Sequence, residues 1–371
     1  VGNHIMAVGT DQAERDALAT RIGAATRLAA RADARLTGAI DDFFVAEDSR
    51  LDERTRVALG RMLAAVVQGV ETDIRRHAAR VLAGQGADTQ AEQLLKGHED
   101  VVRRLSRAGL LRDRGLMDEL IAQVRCDRIA AALPSQAGAP DQPSLLVRLA
   151  EVDDGVVAAA ARASMTAEAR RRAAVDHGGA MAGLLPAERH HQLVWWVAAS
   201  IREGRIAVSG EDAAVDRAIV EAAQRSLAAH DEGQRVEALA IRLASAIDAR
   251  THELGDLLVE ALGDRRLILF IAILGRAVDL DFTGARAIVL EPEGDRLWLA
   301  LRAAALDRPT IARIALALAD ADPRRDIDTF AEELDAIAAV PVEAARSALA
   351  PLTLHHDLRL AIDALAREAG R

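Results

Sequence analysis

A tripeptide, Gly-(Gln/Asp)-Arg, recurs at Gly233, Gly263 and Gly294, with spacings of 30 and 31 residues. Each copy opens an apolar run at helical spacing: VEALAIRLASAI, RLILFIAILGRA and LWLALRAAALDR. A second, shorter run fills each interval: THELGDLLVEAL, DFTGARAIVL and PTIARIALALAD. A two-helix unit recurring near thirty residues predicts a helical solenoid, because each unit leaves an apolar face bare until the next one covers it. The expected fold is therefore all-α, an irregular helical repeat (α-solenoid) of antiparallel helix pairs.

Composition supports helices over sheets. Aromatic residues are 2% of the chain and tyrosine is absent, so Ala and Leu must do most of the packing. Strands favour β-branched and aromatic side chains, whereas Ala and Leu favour helices. One local alternative is a β-hairpin in ARAIVLEPEGDRLWLAL around Glu291–Gly294, where Ile288, Val289, Leu297 and Trp298 suit strands. The surrounding alanines and the continuing helical period weigh against it.

With 51% hydrophobic residues the 371-residue chain can build a substantial core, as one extended domain or two compact ones. Its prolines mark one break, PSQAGAPDQPS at Pro134–Ser144. The expected organisation is an N-terminal helical region over 1–133, a loop or linker over 134–144, and the repeat region over 145–371. The net charge of −10 offers little to a nonspecific nucleic-acid binder. Arg171–Arg172 and Arg324–Arg325 could form local basic patches, or could sit on solvated helix faces and loops. The opening VGNHIMAVGT lacks a basic stretch followed by a long apolar run, and Leu267–Leu274 is too short to span a bilayer. A cytoplasmic location is the default expectation.

The segment HHQLVWWV, His190–Val197, concentrates two of the three tryptophans. Pro186 is well placed to start its helix. On a helical wheel Leu193, Trp196, Val197 and Ile201 form a core stripe. His191, Trp195 and Arg202 fall on the other side, with His191 and Trp195 four residues apart and able to touch. These three are the candidate interaction surface, unless a neighbouring layer covers them. Adjacent His190 and His191 diverge by ~100° on a helix and do not chelate as a pair. The doublet His355–His356 has the same geometry.

No catalytic, cofactor-binding or metal-binding residue is assigned. The phosphate loops GxxxxGK(S/T) and GxGxxG, the HExxH zinc motif and the GxSxG elbow do not occur. Cys126 is the single cysteine and lies on a helical pattern, which points to a buried structural thiol. Gly178–Gly179 reads as an inter-helix turn. Ser209–Gly210–Glu211–Asp212 resembles a helix cap with acidic first-turn residues, whose acids serve the helix. The acidic clusters Asp41–Asp42, Glu151–Asp154 and Asp320–Asp322 lack calcium-loop spacing.

The segments LLPAERHHQLVWWVAASIR, Leu184–Arg202, and VDRAIVEAAQRSLAAHDEGQRVEALAIRLASAID, Val215–Asp248, together with Gly263–Leu306, resemble an uncharacterised alphaproteobacterial family of unknown function. That family is similar to HEAT-type helical repeats. The resemblance covers residues 90–320. It implies a bacterial cytoplasmic protein with a HEAT-like fold, and it carries no catalytic residue. The expected function is a noncatalytic scaffold or adaptor for a protein partner. Two alternatives stand beside it: a small-ligand sensor with an inter-helix pocket near Trp195 or Trp298, and a nucleic-acid-binding helical repeat.

Overall fold

The computed structural model describes residues 50–97, 100–134, 143–176, 183–209 and 212–354, together with 358, 361, 362 and 365. Every regular element in them is a helix. In chain order these begin with α1 (Glu53–Gly84), α2 (Asp88–Lys96), α3 (Val101–Arg107), α4 (Arg114–Ala132), α5 (Leu145–Leu149) and α6 (Gly155–Asp176). Next come α7 (Ala187–Ser209), α8 (Ala213–Ala229), α9 (Val236–Ile247), α10 (Thr251–Gly263) and α11 (Leu267–Ala277). The last are α12 (Phe282–Leu290), α13 (Asp295–Ala303), α14 (Arg308–Ala321), α15 (Ile327–Ala339) and α16 (Val342–Leu349). The hairpin alternative is replaced by α12 and α13, which flank Glu291–Gly294. None of these helices is long and apolar enough to cross a membrane.

Aspartate begins many of the helices. Asp100, Asp113, Asp212, Asp281, Asp307 and Asp326 each accept a hydrogen bond from a backbone N–H in the first turn that follows. Each such cap is worth about 1 kcal/mol. In Ser209–Asp212, read from the sequence as a cap with acidic first-turn residues, Asp212 is itself the cap of α8. The ends of α10, α11 and α13 share another device. Arg265, Asp279 and Ala305 adopt left-handed backbone with φ of 59°, 57° and 60°. The next N–H then bonds back five residues: Arg266 to Ala261, Leu280 to Gly275 and Leu306 to Leu301. This pattern satisfies carbonyls that the helix end would leave bare.

The three tripeptide glycines do not share a structural role. Gly233 sits in a 3-10 turn, Glu232–Gln234, and Gly263 is the last residue of α10. Gly294 precedes α13 at φ 85°, where an added Cβ would lie 2.8 Å from the Trp298 indole. The helices that follow them also diverge. α9 and α11 pack side by side, but α13 packs on α16, α15 and α12. α10 contacts α11 and α14. The recurrence therefore reports alternating helices, not one regular stack.

The described residues from Glu53 onward form one compact unit. An apolar core runs through it from Cys126 to Leu349 and includes the fully buried Phe270. Burial of each such large side chain contributes ~1.5–3 kcal/mol. The buried side chains of α1, α7 and α8, among them Ile74, Leu193, Val215 and Ala222, lie outside that cluster. α4 connects the two regions, since it packs on α1 and also on α11, α12 and α14.

Candidate functional site: a histidine-lined pocket

The buried face of α7 carries His190, Leu193, Val194, Val197, Ala198 and Ile201. Their spacing of 3, 4, 7, 8 and 11 residues from His190 is a continuous helical stripe. His190 therefore lies on the apolar stripe, 8% exposed. Trp196, expected there, is half-buried at the margin, and Val194 takes its place. The wheel angle explains the correction: Trp196 is two positions from Val194 and swings ~200° away from it.

α8 ends at Ala229, and His230 follows in extended backbone. That break turns its ring onto His190. The two imidazoles stack with centroids 4.1 Å apart and planes 11° from parallel. The Ser226 carbonyl accepts a hydrogen bond from His190, and the Leu185 carbonyl accepts one from His230. The Nε2 atoms of both rings are buried with no hydrogen-bond partner. Burial, reinforced by the His230 charge, pushes the His190 pKa down to about 4. His230 is lowered as well, chiefly by burial. Both rings are neutral at pH 7.

A pocket of about 440 Å³ opens beside this stack. His77 and Arg80 of α1, His190 of α7, and Ala222 and Arg225 of α8 help to line it. The small side chains Ala222 and Ala229 leave the space. His77 Nδ1 is buried without a partner. Its pKa is lowered by burial, then by the charges of Arg225 and Arg80, against a smaller opposing effect of Glu221. Arg80 donates to the Arg76 carbonyl, and Arg225 makes no ion pair among the described residues. Asp73 and Asp231 line the same pocket. Asp231 also accepts from the Gly233 N–H.

The candidate surface lies on the same helix but outside the pocket. His191 is exposed, and Trp195 is half-buried. The Trp195 indole N–H donates to His191 Nε2 at 3.2 Å, as their spacing predicts. Arg202 is engaged by Glu203 and Asp216 at 2.9 and 3.1 Å. Trp298 does not line this pocket: it is buried and tilted against Phe330, with ring centroids 4.3 Å apart.

A second buried polar cluster surrounds α4. The Glu119 carboxylate accepts from Gln123, Arg235 and Arg286 at 2.8, 2.8 and 2.7 Å. Burial alone would raise its pKa, but the Arg286 hydrogen bond and the charges of Arg286 and Arg235 hold it below the usual carboxylate range. Glu237 lies 3.5 Å from Arg235 and 3.9 Å from Arg171, and Arg171 also binds Asp127. Three carboxylates thus face three guanidinium groups. Cys126 packs beside them, and burial pushes its thiol up to about 12, which leaves it unreactive at neutral pH.

The arginine pairs Arg171–Arg172 and Arg324–Arg325 are engaged within the fold. Arg171 belongs to the cluster just described, and Arg172 pairs with Glu168. Arg324 pairs with Asp322, while Arg325 is buried and donates to the Val289 carbonyl. No group of three or more His, Cys, Asp or Glu among the described residues is placed to hold a metal ion. His355–His356, Gly178–Gly179 and Asp41–Asp42 lie outside the described residues. Comparison with protein-family models, curated proteins and solved structures finds no match for the chain.

Proposed function

We propose that this helical protein works by binding a small ligand in the pocket between α1, α7 and α8. The observation that carries this reading is a cavity of about 440 Å³ lined by His77, His190, His230, Arg80 and Arg225, with no carboxylate paired to either arginine among the described residues. The volume is within the range of small-molecule sites. Binding suits the rings better than catalysis does, since a general base works best with a pKa near the working pH. His190, near 4, is a weak base. The reading is thus the sensor alternative, placed beside His190 and away from the tryptophans.

The test is a thermal-shift screen with small amides, alcohols, amines and carboxylates, paired with histidine-selective nitrogen NMR. A ligand of this site raises the melting temperature in a saturable way and moves the His190 and His230 Nε2 resonances. Ala229→Trp, which fills the pocket, should abolish both effects. Stabilisation that persists in Ala229→Trp would place the ligand elsewhere and reject the reading.

A second reading, the adaptor, draws on the C-terminal residues. Leu354, Leu358, Ile362 and Leu365 are each 43–66% exposed at spacings of 4, 4 and 3. Exposed apolar side chains at that spacing fit a helix-in-groove contact. Truncation before Leu354 should leave pocket binding intact and remove any self-association or partner capture. We propose HEAT-like order for α9 to α12 alone, supported by α9 lying beside α11 and by α10 and α12 packing on α11. Kinship with the alphaproteobacterial helical family belongs to the same proposal.

A further inference from the structure

Two connectors contribute to the wall of the pocket. Residues 183–186 lead into α7, and residues 230–235 join α8 to α9. Gly183, His230, Asp231 and Gln234 line the cavity. Their chain neighbours Leu184 and Arg235 are bound instead by the Glu119 cluster. The Leu184 carbonyl accepts from Gln123 Nε2 at 2.9 Å and from Arg235 Nε at 3.2 Å. Gln123 Nε2 and Arg235 Nη2 both donate as well to Glu119 Oε1, each at 2.8 Å. The connectors are tied to the ring pair too. The Leu185 carbonyl accepts from His230, and the Pro186 carbonyl accepts from the His190 backbone N–H at 2.9 Å. Loops of this kind normally run over the surface. Here one loop carbonyl collects two side-chain donors, 61 and 51 residues away in the chain.

We propose that Gln123 and Arg235 are positioning residues, which through Leu184 set where the two connectors place the His190–His230 pair at the pocket wall and so link the pocket to the Glu119 cluster. Their service to a ligand rests on the binding reading above; the placement itself does not. The side chains suit the task. Arg235 presents a rigid planar fork, with Nε on the carbonyl and Nη2 on the carboxylate, a geometry that an ammonium group does not reproduce. Gln123 is 1% exposed, and its amide nitrogen directs two donor hydrogens to Leu184 and Glu119. Arg286 of α12 holds the other Glu119 oxygen at 2.7 Å, which braces the wall against a helix that does not line the pocket. Displacement of Leu184 moves Leu185, the next residue, and with it the carbonyl that holds His230.

The experiment uses the full chain and no ligand. Histidine nitrogen NMR follows the titration of His190 and His230 in Gln123→Met, Arg235→Lys and Ile129→Ala. The charged and titratable groups around His230 are Glu232, Arg235, Asp231 and His190. Gln123→Met leaves all of them in place, and Arg235→Lys keeps the cation, so a changed titration reports a changed placement. Burial is the chief cause of the low pKa of both rings. In both variants the rings should therefore titrate at higher pH, nearer the ordinary value, as the pair loosens. Ile129→Ala removes a buried side chain from the far end of α4 and should leave both titrations as in the native chain. In the reverse direction, Ala229→Trp fills the pocket and should move the Arg235 Nε–H resonance. An unchanged titration in either variant removes that residue from the assignment, and unchanged titrations in both overturn it. Equal movement in Ile129→Ala would also overturn it, since general loosening would then be the cause. An Arg235 resonance unmoved in Ala229→Trp would break the link to the pocket. A failed ligand screen beside the expected shifts would reject the binding reading and keep the positioning.

Discussion

The two buried polar clusters differ in completeness. Around Glu119, each of the three carboxylates meets a guanidinium, and all the residues come from this chain. Around His190, two rings have found each other and a carbonyl apiece, yet their Nε2 atoms remain bare. The charges of the first cluster are paired by folding, although Gln123 Oε1 beside them has no partner. The second keeps a partnerless nitrogen on each ring. Satisfied polar networks fix how elements meet, whereas an unsatisfied group beside a cavity marks a place to bind.

The sharpest way to break this contrast is to remove Glu119. Glu119→Ala leaves Arg235 and Arg286 buried without their main partner and should cost about 3–5 kcal/mol of folding stability, measured by denaturant unfolding. A cost below about 1 kcal/mol would mean that water replaces the carboxylate and that the cluster is not structural.

Acid should act on the histidine cluster. His190 is held near 4 against an ordinary value of 6.5, so the folded chain binds fewer protons than the unfolded one between those values. The stability that neutral His190 permits is fully present above 6.5 and falls as the pH drops towards 4. The loss should approach about 3 kcal/mol at pH 4, and the lowered His230 and His77 add in the same direction. His190→Phe retains a stacked ring and should flatten the slope. An unchanged slope in that variant would assign the acid sensitivity to other groups.

A smaller effect concerns the exposed face of α7. A double-mutant cycle on His191→Ala and Trp195→Ala should give a coupling of about 0.5 kcal/mol, because their hydrogen bond is local and partly solvated. A coupling several times larger would make that pair a third structural cluster. The smallest effect is expected from Arg225→Gln, which should change stability by less than about 0.5 kcal/mol in the absence of ligand. A larger loss would show that Arg225 is a structural residue and not a waiting ligand group.

Much of this fold is written locally. Asp113, Asp281 and Asp307 stand directly before helical runs, where capping predicts them. His190 was legible too, since its 3, 4, 7, 8 and 11 spacings to buried residues can be counted in the sequence. The adjacent histidine and the two tryptophans crowd that stripe, so a wheel centred on Trp196 misses it. The rest depends on distant pairing. Nothing local brings His77 and His230 to His190, and their meeting depends on the packing of α1, α7 and α8. The tripeptide recurrence has no single structural counterpart for a related reason: Gly294 needs left-handed backbone, while Gly263 ends a helix, and the same letters serve both.

The span of the Glu119 cluster has a consequence during synthesis. Glu119 and Arg286 are 167 residues apart, and Glu119 and Arg235 are 116 apart. At about 5–20 residues per second, a ribosome needs roughly 10–30 s to make the Arg286 codon's product after that of Glu119. Throughout that interval α4 exists without the arginine that neutralises its buried carboxylate. The Glu119 cluster as a whole can therefore close only once α12 has been made.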